Sequence, residues 1–214
     1  MALGDLGSTD LFSLGAGFNA QSTTISNGND VVDTLSSTGD IACQNAFNTE
    51  VTATAEYEVC GSQTLSLSLG SVVGGYMITN VEASHEAGQA PRVSVTGIAN
   101  DGGEDVSGTR TYAISLNLNI AAVASILTTP GTGIEATSVT HTWAMERTTG
   151  MGSDGQVSFA VARTPKHTYS ETGQGTLASA PTITGMVLEN YENSDSNQEL
   201  DTYTCSFTKG LTSV

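Results

Sequence analysis

Three histidines, three cysteines and 22 Asp and Glu are the side chains of this 214-residue chain able to bind metal, shuttle protons or attack an electrophile. Their spacing argues against most such chemistry. His85, His141 and His167 lie in different segments, none at the spacing of a helical metal pair and none beside a cysteine, so they read as strand or surface histidines. Cys43, Cys60 and Cys205 are odd in number and lack a CxxC pair, so they predict neither a disulfide framework nor a zinc site and read as buried or half-buried thiols. The nearest run to a GxSxG elbow, Gly150-Met-Gly-Ser-Asp-Gly155, falls in a predicted hairpin loop, where turn geometry accounts for its glycines. No glycine-rich phosphate-binding signature follows a strand and opens a helix. With no nucleophile, base and oxyanion-stabilising set in view, the expectation is a protein without catalytic residues, cofactor or metal.

Three acidic stretches offer oxygens to a hard cation: Asn27-Gly-Asn-Asp30, Asn100-Asp-Gly-Gly-Glu-Asp105 and Glu192 to Glu199. None has the ligand spacing of an EF-hand, and Asn, Asp and Gly favour turns in any case, so solvated turns are expected.

Charge is the stronger signal. Against 22 acids stand six Lys and Arg, a formal net charge of −16. Phosphate neutralisation needs cations that this chain barely has, so gripping of nucleic acid or of an anionic membrane is excluded. From Met1 to Pro91 there is no Lys or Arg, yet that stretch holds Asp5, Asp10, Asp30, Asp33, Asp40, Glu50, Glu56, Glu58, Glu82 and Glu86. Some of these carboxylates must face water or basic groups on another chain. Arg92, Arg110, Arg147 and Arg163 are the candidates for such pairing between subunits. No apolar run is long enough to cross a bilayer, and the N-terminus is acidic where a secretory signal is basic, so a protein made in the cytosol without a membrane anchor is expected.

The elements that carry these side chains are read from periodicity. Residues 1–48 are rich in Gly, Ser, Asn and Thr with no sustained apolar period, and are expected to be an arm or loops ordered by an assembly. From Thr49 the chain alternates. Val51, Ala53, Ala55, Tyr57 and Val59 share one strand face, opposed by Thr52, Thr54, Glu56 and Glu58. Leu65 to Leu69, Val93 and Val95, Tyr112 to Ile120, Val139 to Met145, Val157 to Val161, Ile183 to Tyr191 and Tyr203 to Phe207 give a total of eight or nine strands. Asn119 to Leu127, closed by Thr128-Thr-Pro-Gly131, has an Asn cap and a Pro-Gly stop and predicts one short helix. The expected fold is mainly β, with two packed antiparallel sheets in a sandwich or barrel-like arrangement over residues 49–214. The polar strand faces carry Ser, Thr and Asn with almost no lysine, so sheet edges lack the usual guard and burial against identical subunits is expected.

The hairpin from Ile78 to Gly97, with Ala87-Gly-Gln-Ala-Pro-Arg-Val-Ser-Val-Thr-Gly97, the helix set between two strand groups, and the closing strand Thr204-Cys-Ser-Phe-Thr-Lys-Gly-Leu211 together resemble tailed-bacteriophage tail tube (major tail) proteins over Thr49 to Leu211. The resemblance implies hexameric rings whose inner sheets join into a barrel, stacking through loops or arms, contacts with other tail proteins, and a place in the virion tail. It implies no enzyme activity and no cofactor. An acidic, lysine-poor bore would let DNA pass without holding it, and Glu56 and Glu58 are the candidates for its lining. Residues 20–48, 146–156 and 190–201 are the candidate stacking loops. The alternative is a β-sandwich binding module of a virion or cell surface, a fibre, adhesin or carbohydrate-recognition domain, for which the single Trp143 and six Tyr would supply stacking surfaces.

Overall fold

A computed structural model describes residues 10–38, 40–100, 110–128, 134–151, 157–195 and 200–213. Eleven strands occur among them: β1 (Phe18–Leu35), β2 (Ile41–Val59), β3 (Ser62–Leu69), β4 (Val72–Val73), β5 (Tyr76–Glu86), β6 (Arg92–Asn100), β7 (Tyr112–Asn119), β8 (Glu135–Met151), β9 (Val157–Gln174), β10 (Val187–Ser194) and β11 (Thr202–Gly210). Every pairing is antiparallel. Nine strands form one sheet in the order β1-β2-β6-β5-β8-β9-β11-β10, with β4 beside β5, and β3 pairs with β7 in a separate two-stranded sheet.

The alternation read from the sequence survives in the packing. Ala53, Ala55, Tyr57 and Val59 of β2 are buried, as are Val81 and Ala83 of β5 and Val93 and Val95 of β6. Leu65 and Leu69 of β3 and Tyr112, Ile114 and Leu118 of β7 join them in one core, so the small sheet covers the apolar face of the large one. Phe12 plugs the same core from the N-terminal side, its amide donating to the Tyr57 hydroxyl at 3.2 Å. Gly97 makes room for that plug: a Cβ there would sit 2.8 Å from Tyr76 Cβ and 3.0 Å from the Phe12 ring. A second, smaller core holds Val139, Tyr169, Cys205 and Phe207 under Val123, Leu127, Ile183, Met186 and Leu188.

Two expectations are corrected. Residues 18–35 and 41–48 are not loops but strand, and the boundary expected at residue 48 falls inside β2. Polar strands without an apolar period are invisible to alternation; here pairing of β1 with β2 along nearly their whole length supplies what the period does not show. The helix expected over residues 119–127 is absent too. Asn119 does accept a hydrogen bond from the Ala121 amide at 3.0 Å, but the turn ends there and the chain continues as a strap without regular secondary structure. Nine residues are too few to sustain a helix unaided, and Val123 and Leu127 are drawn onto the second core instead. Pro130 and Gly131 lie outside the described residues.

Candidate functional site

Alternate residues of the large sheet point away from the core, and register places them in rows. One row runs Ser22, Glu56, Ser94, Glu82, Thr142, Thr168 and Thr208 across seven strands. The next contains Asn19, Glu58, Arg92, Ser84, Thr140, Ser170 and Ser206. This face is hydroxyl-rich and carries acids with few cations. Glu56 and Glu58 both stand on it, Glu56 exposed and bonded to the Ser22 hydroxyl at 3.1 Å, Glu58 half-buried opposite the exposed Arg92. With Glu82 they line a shallow groove of about 300 Å³.

The four arginines are scattered. Arg110 and Arg163 are exposed, and Arg92 lies in the groove. Arg147 is different: its guanidinium, 6% exposed, pairs with Glu50 of the same chain at 2.8 Å. That bridge links two ribbons. β1 and β2 continue past the Glu50–Asn100 pair that ends the β2–β6 ladder, and β8 and β9 continue past the Ala144–Lys166 pair, so both hairpins project from one end of the sheet. The first ribbon exposes Val31, Leu35 and Ile41.

The opposite face brings together residues whose separation in sequence concealed them. His141 on β8 and His167 on β9 are buried, with Nδ1 of the first 3.1 Å from Nε2 of the second. Trp143 stacks on His167 at 4.6 Å between ring centres and on His141 at 5.4 Å, and the Tyr169 ring meets His141 edge-on at 4.8 Å. Burial holds both imidazoles down to about 4, reinforced for His141 by its histidine partner and for His167 by the Lys209 ammonium. One strand position further along, the buried Glu171 carboxylate accepts from the Tyr169 hydroxyl and, at 2.5 Å, from the Tyr203 hydroxyl. Burial and that carboxylate raise both phenols well above their ordinary range, and burial first and Glu171 second push the Cys205 thiol up to about 12. Only register could have revealed this cluster: the alternation of His141-Thr-Trp143 and His167-Thr-Tyr169-Ser-Glu171 puts all five side chains on one face once β8 and β9 pair.

Three expectations from the sequence change here. Cys43 and Cys60 are exposed, and only Cys205 is buried. Trp143 is buried under the imidazoles, so it offers no stacking platform at the surface. The histidines do meet, although no group of three or more His, Cys, Asp or Glu that could hold a metal occurs among the described residues. Residues 101–105, 152–155 and 196–199 of the acidic and glycine-rich loops lie outside the described residues. No helix among the described residues is long and apolar enough to cross a membrane. No known family model matches the chain, and no curated protein matches it.

Proposed function

We propose that the protein is a structural subunit that assembles edge to edge into rings, six-membered in the tail-tube arrangement it resembles, which stack into a conduit for DNA in a phage tail. The observation that carries this reading is a nine-stranded sheet with one largely polar, acid-bearing face and, among the described residues, two unpaired edges, β1 and β10. Unpaired edge groups are a template for another strand, and pairing β10 of one copy with β1 of the next removes both edges at once. Closure with the polar face inward would make a sandwich-like wall, the β3–β7 sheet outside and Glu56, Glu58 and Glu82 toward the bore. Acids and hydroxyls repel or ignore a phosphate backbone, so nucleic acid slides. Arg92, Arg110 and Arg163 remain candidates for pairing between subunits or with other tail proteins. The exposed β1–β2 ribbon, within the 20–48 stretch, is the proposed stacking element. The role is structural and needs no catalytic residue or cofactor.

Negative-stain electron microscopy with light-scattering mass tests it. Rings or tubes with an open centre are expected. A monomer of 21.9 kDa at every concentration, including after seeding with preformed tube, would remove the reading. Glycan binding by such a monomer would favour the binding-module alternative.

A further inference from the structure

The His141–His167 pair lies on the core face of the sheet, away from its edge strands β1 and β10. The two rings face each other through nitrogen atoms 3.1 Å apart. A neutral pair satisfies this contact, with one N–H donating to the other ring's bare nitrogen, and so does a pair holding one extra proton. Two extra protons do not: both nitrogens become donors, and N–H points at N–H between buried cations.

The groups packed around the pair offer little relief. From β11, Lys209 stands opposite His167 in register, and Cys205 lies along the same face. From β9 itself, Glu171 is the only carboxylate on this face, and both of its oxygens are taken by the Tyr169 and Tyr203 hydroxyls. From β5, Ala83 is opposite His141, and the nearby His85 is bonded to the Gln89 carbonyl at 3.2 Å. The cover, residues 120–128 and 183–186, has no charged residue at all. Among the described residues around the pair, no acid is therefore free to neutralise a second proton.

Protons have a route to the site. His141 lines a cleft of about 380 Å³ between the sheet, β7 and the strap, beside Ser115, Asn117 and Asn119. Val187 and Leu188 belong to β10 and pair with β11, so the cover is confined to residues 120–128 and 183–186, which are outside any strand. The Ile126 amide donates to the Tyr169 hydroxyl at 3.4 Å, and Thr128 ties the strap to the second cover segment through the Thr182 carbonyl at 2.9 Å from its amide and 2.7 Å from its hydroxyl. These bonds join the two segments over a core of four buried apolar residues, against seventeen in the first core, among the described residues.

We propose that His141 and His167 form an acid-operated latch, in which double protonation lifts residues 120–128 and 183–186 off the β8–β9–β11 face while the first core and the β10–β11 ladder stay closed. The wild-type protein carries its own reporter, because Trp143 is its sole tryptophan and stacks on both imidazoles.

The experiment follows Trp143 emission from pH 8 to pH 3.5 together with hydrogen exchange of backbone amides. Emission should fall and shift to the red in a step taking up two protons. Amides of residues 120–128 and 183–186 should exchange at least tenfold faster, after correction for intrinsic rates, at a pH where β2 and β6 remain protected. His141→Gln/His167→Gln should lack the step above pH 4. Should that double variant not fold by circular dichroism, His167→Gln alone should show a step of one proton with a shifted midpoint. Unchanged emission and exchange down to pH 4, opening of both cores at one pH, or a variant retaining the wild-type step would overturn the proposal.

Discussion

Glu171, 1% exposed, accepts from two buried phenols, Tyr169 on its own strand and Tyr203, which ties β11 to β9. Glu171→Ala should therefore cost about 4 kcal/mol, from two buried hydroxyls left without an acceptor plus the cavity. Glu171→Gln keeps one acceptor oxygen and turns an amide donor toward the other phenol, and should cost about half as much. Urea unfolding with an unchanged slope would read both. The histidines make stability depend on pH in a definite direction. Their folded values near 4 lie below the ordinary 6.5, so the unfolded chain binds protons that the folded chain refuses. Their contribution is complete above pH 6.5 and drains away as pH falls toward 4, by on the order of 3 kcal/mol for each histidine. The difference in unfolding free energy between wild type and His141→Gln should shrink across that window; a difference constant with pH would refute the assignment. At Gly173 a Cβ would stand 2.5 Å from the Tyr203 ring and the Glu135 carbonyl, so Gly173→Ala should push the Tyr203 phenol off Glu171 and lower the thermal midpoint by several degrees.

The elements most exposed to perturbation are the two ribbons at one end of the sheet. Past the β2–β6 ladder, β1 and β2 pair with each other, and the Arg147–Glu50 bridge ties them to β8. An isolated two-stranded ribbon is marginal in water. Arg147→Ala leaves the half-exposed Glu50 free to hydrate, so global stability should fall by only about 1–2 kcal/mol. Hydrogen exchange in residues 41–50 and 144–151 should nonetheless accelerate well before that of β5 and β6. Equal acceleration everywhere would mean that the bridge does not hold the ribbons together. The strap over residues 120–128 teaches a related point: local sequence asked for a helix, and the second core needed an apolar lid, which an irregular segment supplies with Val123 and Leu127.

For the whole molecule, the edge strands decide the proposed assembly. β10 is exposed along nearly its whole length, with Val187 68% and Tyr191 41% exposed. Val187→Lys/Tyr191→Lys places charge on an edge that the proposed ring buries. Folding stability should change by less than about 0.5 kcal/mol per site, as for surface substitutions generally, while ring and tube particles should disappear and the scattering mass should fall to 21.9 kDa. Particles of unchanged mass and shape would place the subunit contact elsewhere.

The mainly β class and the inward faces of β2, β3, β6 and β7 followed from the chain itself, because two-residue alternation is a local property that packing had no reason to overrule. So did the acidic balance and the polar outer positions of Glu56 and Glu58. The tertiary structure alone decided the rest. β1 is a strand because β2 pairs with it, not because Gly, Ser, Asn and Thr favour strand. Arg147 finds Glu50 from 97 residues away. His141 and His167 sit 26 residues apart on separate strands, and only the register of β8 on β9 makes them one hydrogen-bonded pair. Strand pairing converts distance along the chain into contact, and no local pattern encodes which strand will be the neighbour.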